Sequence, residues 1–233
     1  MKIKIYADGA NLEEMTAALT QHNVAGFTTN PTLMRKAGIT DYMKFAKDSL
    51  QQIKNKPISF EVFSDDFEEM YVQAKKLAAL GDNVYVKIPV TNTKGHFSGD
   101  LIRKLDSEKI KMNITAVFTL EQVASILKNL LSDTPHIISV FAGRIADTGV
   151  DPLPIMRTAL EMIKNHNSEL QLLWASPREV LNVYQADRMQ CDIITVTSGL
   201  LNKLSLCRKP LKEFSRDTVK MFFDDAVRSG FCL

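Results

Sequence analysis

The chain has 233 residues, 45% apolar and 24% charged, which suits one globular domain with a sizeable buried core. Its 29 basic and 27 acidic side chains leave a net charge of +2, too even for a nucleic-acid or anionic-membrane surface. Cys191, Cys207 and Cys232 lack CxxC spacing, so neither a disulfide framework nor a thiolate metal site is implied.

The opening segment, MKIKIYADGAN, has lysines with no apolar run behind them, so no signal peptide is expected. No later stretch reaches the ~20 apolar residues of a membrane helix. A soluble, cytoplasmic protein is expected. In chain order, short β-branched runs at Ile3–Tyr6, Val24–Thr28, Ile58–Val62, Val84–Ile88, Lys111–Thr115, Ile137–Phe141, Leu170–Trp174 and Asp192–Val196 read as strands. Helical periodicity separates them, as in Phe67–Leu80 and Leu120–Leu131. The expected fold class is α/β, with residues 1–233 forming a single (β/α)8 TIM barrel. An extra C-terminal helix is expected at about 215–228, N-capped by Ser215 and ended by Gly230. Its stripe of Val219, Phe222, Phe223 and Val227 would cover a barrel mouth or meet a neighbouring subunit.

Alternate residues of a strand face opposite ways. Ile58, Phe60 and Val62 share one face, leaving Ser59 and Glu61 on the other; Tyr85 and Lys87 oppose Val84, Val86 and Ile88; Asn113 and Thr115 oppose Met112 and Ile114. If the apolar sets pack on helices, the polar sets point into the barrel. Asp8, Asn30, Glu61, Lys87, Asn113, Thr115, Arg144, Ser176 and Arg178 then fall at or just past the C-terminal strand ends, where barrel active sites are built.

Lys87 is the sharpest signal. Burial within Val-Tyr-Val-Lys-Ile-Pro strips its ammonium of hydration and favours the neutral amine that forms imines with carbonyls. The alternative is a structural ion pair with Asp8 or Glu61. Asp8 is either a proton carrier or an N-cap for the helix that begins near Asn11. Asn30-Pro31 is a turn that starts a helix. Arg144 and Asp147 form either a ligand site or a surface ion pair. Ser176 and Arg178 follow the seventh strand, where barrels hold phosphate, and the planar guanidinium matches phosphate oxygens. No Walker loop, GxGxxG or GxSxG is present. His22, His96, His136 and His166 are scattered and expected to be exposed, so no metal site is expected.

Asp8, Thr28-Thr29-Asn30-Pro31, Glu61, Val-Lys-Ile-Pro-Val-Thr (86–91), Asn-Ile-Thr (113–115), Phe-Ala-Gly-Arg-Ile-Ala-Asp (141–147) and Ala-Ser-Pro-Arg (175–178) together resemble the small transaldolases. The resemblance spans the first strand to the eighth. It implies that Lys87 is the Schiff-base lysine and that Asp8 takes the C4 hydroxyl proton. Glu61, with a water held by Thr115, would shuttle protons. Thr28, Asn30, Asn113 and Phe141 would line the subsite for a dihydroxyacetone unit, and Arg144, Ser176 and Arg178 would hold the phosphate. No cofactor or metal is implied, the partners are sugar phosphates, and a homo-oligomer is expected. The related fructose-6-phosphate aldolases tend to carry Gln, Leu and Tyr where this chain has Glu61, Asn113 and Phe141. A Tyr hydroxyl would help protonate the enamine, whereas Phe141 leaves it waiting for an acceptor. The chain departs from the family pattern at Gly9 and Pro177, which leaves another ketose phosphate open as the substrate. A sugar-phosphate-binding barrel without catalysis is the reading from another class.

Overall fold

A computed structural model describes residues 1–232. Its strands are β1 (Lys4–Asp8), β2 (Gly26–Thr28), β3 (Ile58–Glu61), β4 (Val84–Pro89), β5 (Met112–Val117), β6 (Ile137–Val140), β7 (Gln171–Trp174) and β8 (Ile193–Thr197). Its helices are α1 (Leu12–His22), α2 (Pro31–Lys36), α3 (Tyr42–Gln52), α4 (Phe67–Ala78), α5 (Gly99–Ser107), α6 (Leu120–Leu127), α7 (Ala142–Asp147), α8 (Pro152–His166), α9 (Val180–Arg188), α10 (Ser198–Lys203) and α11 (Leu211–Ser229). The strands pair in parallel in sequence order, and β8 returns to β1. The expected (β/α)8 barrel is therefore the observed fold.

Polar side chains start the helices where the sequence offers them. Asn11 caps α1, Asp66 caps α4, and Thr119 forms a reciprocal capping box with Gln122 on α6. Each cap satisfies N–H groups that have no partner within the first turn.

Strand alternation divides the buried residues into two sets. Ile58, Phe60, Val86, Ile88, Met112 and Ile114 belong to the core between sheet and helices. Tyr6, Tyr85, Ile137, Leu173 and Ile193 form a second cluster inside the barrel. Gly26 makes room for this inner layer, since a Cβ there would lie 2.6 Å from the Tyr6 ring. Two residues farther along β1, β4, β6 and β8 the interior turns polar, at Asp8, Lys87, Ser139 and Thr195. The lower barrel is thus plugged, and the C-terminal mouth is open to chemistry.

Two expectations are corrected. α11 begins at Leu211 rather than Ser215, because Pro210 supplies a helix-compatible φ and its carbonyl accepts the Phe214 N–H at 3.0 Å. A Lys209–Asp217 ion pair ties down the first turns. Gly230 does end the helix, in the left-handed conformation. α11 buries none of its residues, so it does not cover a barrel mouth.

The second correction is His136, expected to be exposed but fully buried. Its Nδ1 accepts the Met112 N–H at 3.1 Å, and its Nε2 lies 2.8 Å from Asp106. Nδ1 is thus an acceptor, so Nε2 carries the proton of a neutral ring. Asp106 also accepts the Leu131 and Ser132 N–H groups at 2.8 and 2.9 Å. This cluster ties α5 and the loop after α6 to the lower ends of β5 and β6. Burial lowers the His136 pKa, outweighing the hydrogen bond to Asp106. Burial pushes Asp106 upward, but its hydrogen bonds prevail and hold it below the usual carboxylate value.

Both shifts mean that the unfolded chain binds protons more readily than the folded one. Stability should be full near neutrality and fall as pH drops below about 6.5, the ordinary imidazole value, as unfolding releases His136 for protonation. The Asp106 contribution should go only below about pH 4. His136→Ala should cost about 3 kcal/mol by urea denaturation near pH 7.5, because it strands Asp106. Stability of the variant should change less on going to about pH 5.5 than that of the parent protein.

Candidate active site

The C-terminal ends of the strands surround a cavity of about 590 Å3. Strand register determines its floor. Glu61 and Lys87 are direct partners across β3 and β4, and Lys87 and Asn113 across β4 and β5. Directly paired residues project to the same face, so these side chains meet inside the barrel.

Lys87 is only 6% exposed. Its Nζ lies 2.9 Å from a Glu61 carboxylate oxygen and donates to the Thr29 carbonyl at 2.8 Å. The Tyr42 hydroxyl donates to the Glu61 carbonyl at 2.7 Å, fixing that residue from outside the barrel. Asn113 is fully buried: its amide donates to the Ser59 hydroxyl at 3.1 Å, and its carbonyl accepts from Ser139 at 2.6 Å. Thr115 is buried, and its hydroxyl has no hydrogen-bond partner among the described residues.

Asp8 lines the cavity from β1. It is not the cap of α1; Asn11 is. Burial pushes its pKa above the usual carboxylate value, opposed by the Lys87 charge and by hydrogen bonds from Thr28 and Asn30, while the Glu61 charge raises it further. Asn30 has the expected turn role as well, since its side chain caps α2 and Pro31 occupies the first turn.

The rim is built by two loops pressed together. A Cβ at Gly143 would lie 1.5 Å from the Ser176 carbonyl oxygen, so only glycine allows α7 to approach the 175–178 segment so closely. Ser176 adopts φ +59°, a left-handed conformation unusual for a side-chain-bearing residue. Ala116 does the same at φ +58°, where β5 slips register against β6 between Ile114 and Val117. Arg144, Ser176 and Arg178 all line the cavity. Of the two alternatives for Arg144 and Asp147, the ion pair between them does not form. Arg144 lies over the Phe141 ring, 5.7 Å from its centroid, while Asp147 holds Arg178 through that residue's Nε and Nη2.

The cavity therefore gathers the whole expected set: Asp8, Thr28, Asn30, Glu61, Lys87, Asn113, Thr115, Phe141, Arg144, Ser176 and Arg178. Sequence reading missed Ser139, Thr195, Phe118 and Lys36 as lining residues. Ser139 and Thr195 had a usable signal, since each stands two residues from another inward-facing position of its strand. Among the described residues, no group of three His, Cys, Asp or Glu side chains is placed to hold a metal ion. Nor is any helix among them long and apolar enough to cross a membrane.

The fold and the polar upper mouth define an α/β-barrel protein with a buried lysine–carboxylate site. Residues 5–231 match the family model described as Transaldolase/Fructose-6-phosphate aldolase. A probable transaldolase of Bdellovibrio bacteriovorus is 34% identical over 223 residues, covering 96% of this chain and 97% of that one. A probable transaldolase of Thermoanaerobacter is 32% identical over 228 residues, covering 98% and 99%. The chain belongs to the transaldolase/fructose-6-phosphate aldolase family, and it is an enzyme of that family. Solved barrels share the fold alone. KGPDC from Streptococcus mutans superposes with TM-score 0.57 at 13% identity, over 87% of this chain and 91% of that one. Thiamine phosphate pyrophosphorylase from Pyrococcus furiosus gives 0.55 at 15% identity, over 86% and 88%.

Gly143→Ala should force the two rim loops apart. A loss of about 1–3 kcal/mol in urea denaturation is expected, as for overpacking at a tight contact; stability equal to that of the parent protein would show that the contact yields without cost.

Proposed function

We propose that the protein is a transaldolase that moves a dihydroxyacetone unit from a ketose phosphate to an aldose phosphate through an imine on Lys87. The observation that carries this reading is the buried Lys87 ammonium group, 2.9 Å from Glu61, in a cavity shared with Asp8. Imine formation needs a nucleophilic amine and a group that moves protons on and off the carbinolamine. Lys87 first passes a proton to Glu61 and then attacks the ketose C2 carbonyl as the neutral amine. Glu61 relays the protons, with a water held by Thr115 as the expected helper. Water leaves and the imine forms.

Asp8 then takes the C4 hydroxyl proton, the C3–C4 bond breaks, and the departing aldehyde leaves a three-carbon enamine on Lys87. Burial raises the Asp8 pKa, which makes its carboxylate a better proton acceptor than an ordinary one. The enamine adds to an acceptor aldehyde by the reverse path, and water releases the product ketose. Thr28, Asn30, Asn113 and Phe141 line the three-carbon subsite. Arg144, Ser176 and Arg178 form the phosphate end, where Asp147 holds the Arg178 Nε and Nη2 donors and leaves Nη1 to the ligand. Fructose 6-phosphate and sedoheptulose 7-phosphate are the expected donors, and glyceraldehyde 3-phosphate the acceptor. The reading assigns the chain to the cytoplasm and to pentose phosphate carbohydrate metabolism.

Borohydride reduction with fructose 6-phosphate should leave a three-carbon adduct on the Lys87 peptide, seen by intact mass and peptide mapping and absent from Lys87→Ala. A parallel coupled assay should show transfer to the acceptor without free dihydroxyacetone. Steady release of dihydroxyacetone would assign the fructose-6-phosphate aldolase activity instead. Binding with no adduct and no turnover would assign a non-catalytic barrel.

The proposal extends to assembly as a homo-oligomer. Along one face of α11, Val219, Phe222, Phe223 and Val227 are each 63–67% exposed. A contiguous apolar face of this kind marks an interaction surface. Light scattering should give a mass above that of one chain, and Phe222→Glu with Phe223→Glu should reduce it. A monomeric parent protein would remove this assignment.

A further inference from the structure

We infer that Thr195 is a positioning residue of the site, holding Asp8 as an anion through a relay of hydroxyls that runs through Thr28. The three side chains come from β8, β2 and β1, which are neighbours at the closing seam of the barrel. The Thr28 hydroxyl lies 2.8 Å from an Asp8 carboxylate oxygen and 2.5 Å from the Thr195 hydroxyl. Thr28 and Thr195 are 3% and 6% exposed, so water competes little for these bonds.

Proton counting sets the direction. An ionised carboxylate only accepts, and a hydroxyl has one proton to give. Thr28 spends its proton on Asp8, so Thr195 must donate to Thr28. The chain runs Thr195 to Thr28 to Asp8, each donor polarising the next. When Asp8 gains a proton it can become the donor, and both hydroxyls can turn to run the chain backwards. The arrangement follows the charge of Asp8 without moving a heavy atom.

The other groups facing Asp8 are Lys87 from β4, Glu61 from β3, and the Asn30 side chain just past β2. They remain in place when the relay is cut. Burial drives Asp8 towards its neutral form, and the Thr28 bond opposes it. Removing the Thr195 hydroxyl leaves Thr28 a weaker donor and should move Asp8 further upward. The link to catalysis rests on Asp8 as the proposed base; the relay itself does not.

The test is an NMR titration of the full chain with 13C-labelled aspartate carboxyls, the Asp8 signal assigned by its loss in Asp8→Asn. Thr195→Val, nearly isosteric, should raise the Asp8 midpoint, and Thr195→Ser should restore it. Thr195→Ala serves as a second hydroxyl deletion if Thr195→Val does not fold. In a Thr28→Val background, Thr195→Val should add no further shift, because its route to Asp8 is gone. An unchanged midpoint in Thr195→Val or Thr195→Ala, or an additive shift in the double variant, would overturn the relay. The acidic limb of the ketose-cleavage pH profile should move with the midpoint. A shifted midpoint with an unmoved limb would support the relay and remove Asp8 from the role of base.

Discussion

A lysine ammonium inside a barrel has to be surrounded by acceptors before the fold can tolerate it. Stripping such a charge of water costs several kcal/mol unless nearby groups compensate. Lys87 is answered by Glu61 from the next strand and by the Thr29 carbonyl. Asn113, its neighbour on the other side, is held at both ends of its amide by Ser59 and Ser139. These partners come from β3, from β6 and from the residue just past β2, and the register of neighbouring strands sets them within bonding distance. Barrel closure then encloses this layer: it brings Asp8 of β1 round to the same cavity and leaves Lys87 only 6% exposed.

Above that floor the backbone is bent into costlier shapes. Ala116 and Ser176 hold left-handed conformations, each of order 1–3 kcal/mol for a side-chain-bearing residue. The bulge at Ala116 turns β5 just beyond Thr115, while Ser176 turns its loop against α7. The interior below is packed with Tyr6, Tyr85, Ile137, Leu173 and Ile193, and strained backbone persists where packed surroundings hold it. Of the described left-handed residues that bear side chains, Ala116 and Ser176 are the two that line the cavity.

Much of this was legible in the sequence because period-two alternation and chemistry agree. Lys87, Glu61, Asn113 and Thr115 stand opposite the apolar residues of their own strands, and that parity was enough to point them inward. What remained hidden depends on residues far apart in the chain. His136 looks like an exposed loop residue until Asp106, thirty positions earlier, is brought to its ring. Arg144 and Asp147 stand at helical spacing and suggest a pair. The 175–178 loop delivers Arg178 to Asp147 instead, and Arg144 turns to the Phe141 ring. Thr195 lies inside a strand that was recognised, but its tie to Thr28 comes only from barrel closure. Propensity misplaced the start of α11 because a good capping residue, Ser215, follows a proline that had already begun the helix.

The inner apolar plug gives this barrel one doorway. Leu173 lines the cavity floor and belongs to the packed layer beneath it, so nothing passes through to the opposite end. For the proposed transfer, the aldehyde released from the donor must leave by the opening through which the acceptor enters. Turn-taking is then built into the architecture: two aldehydes compete for one passage, and the first has to clear it before the second can reach the carbon held on Lys87. A tunnel open at both ends would allow simultaneous traffic; a blind well imposes a queue.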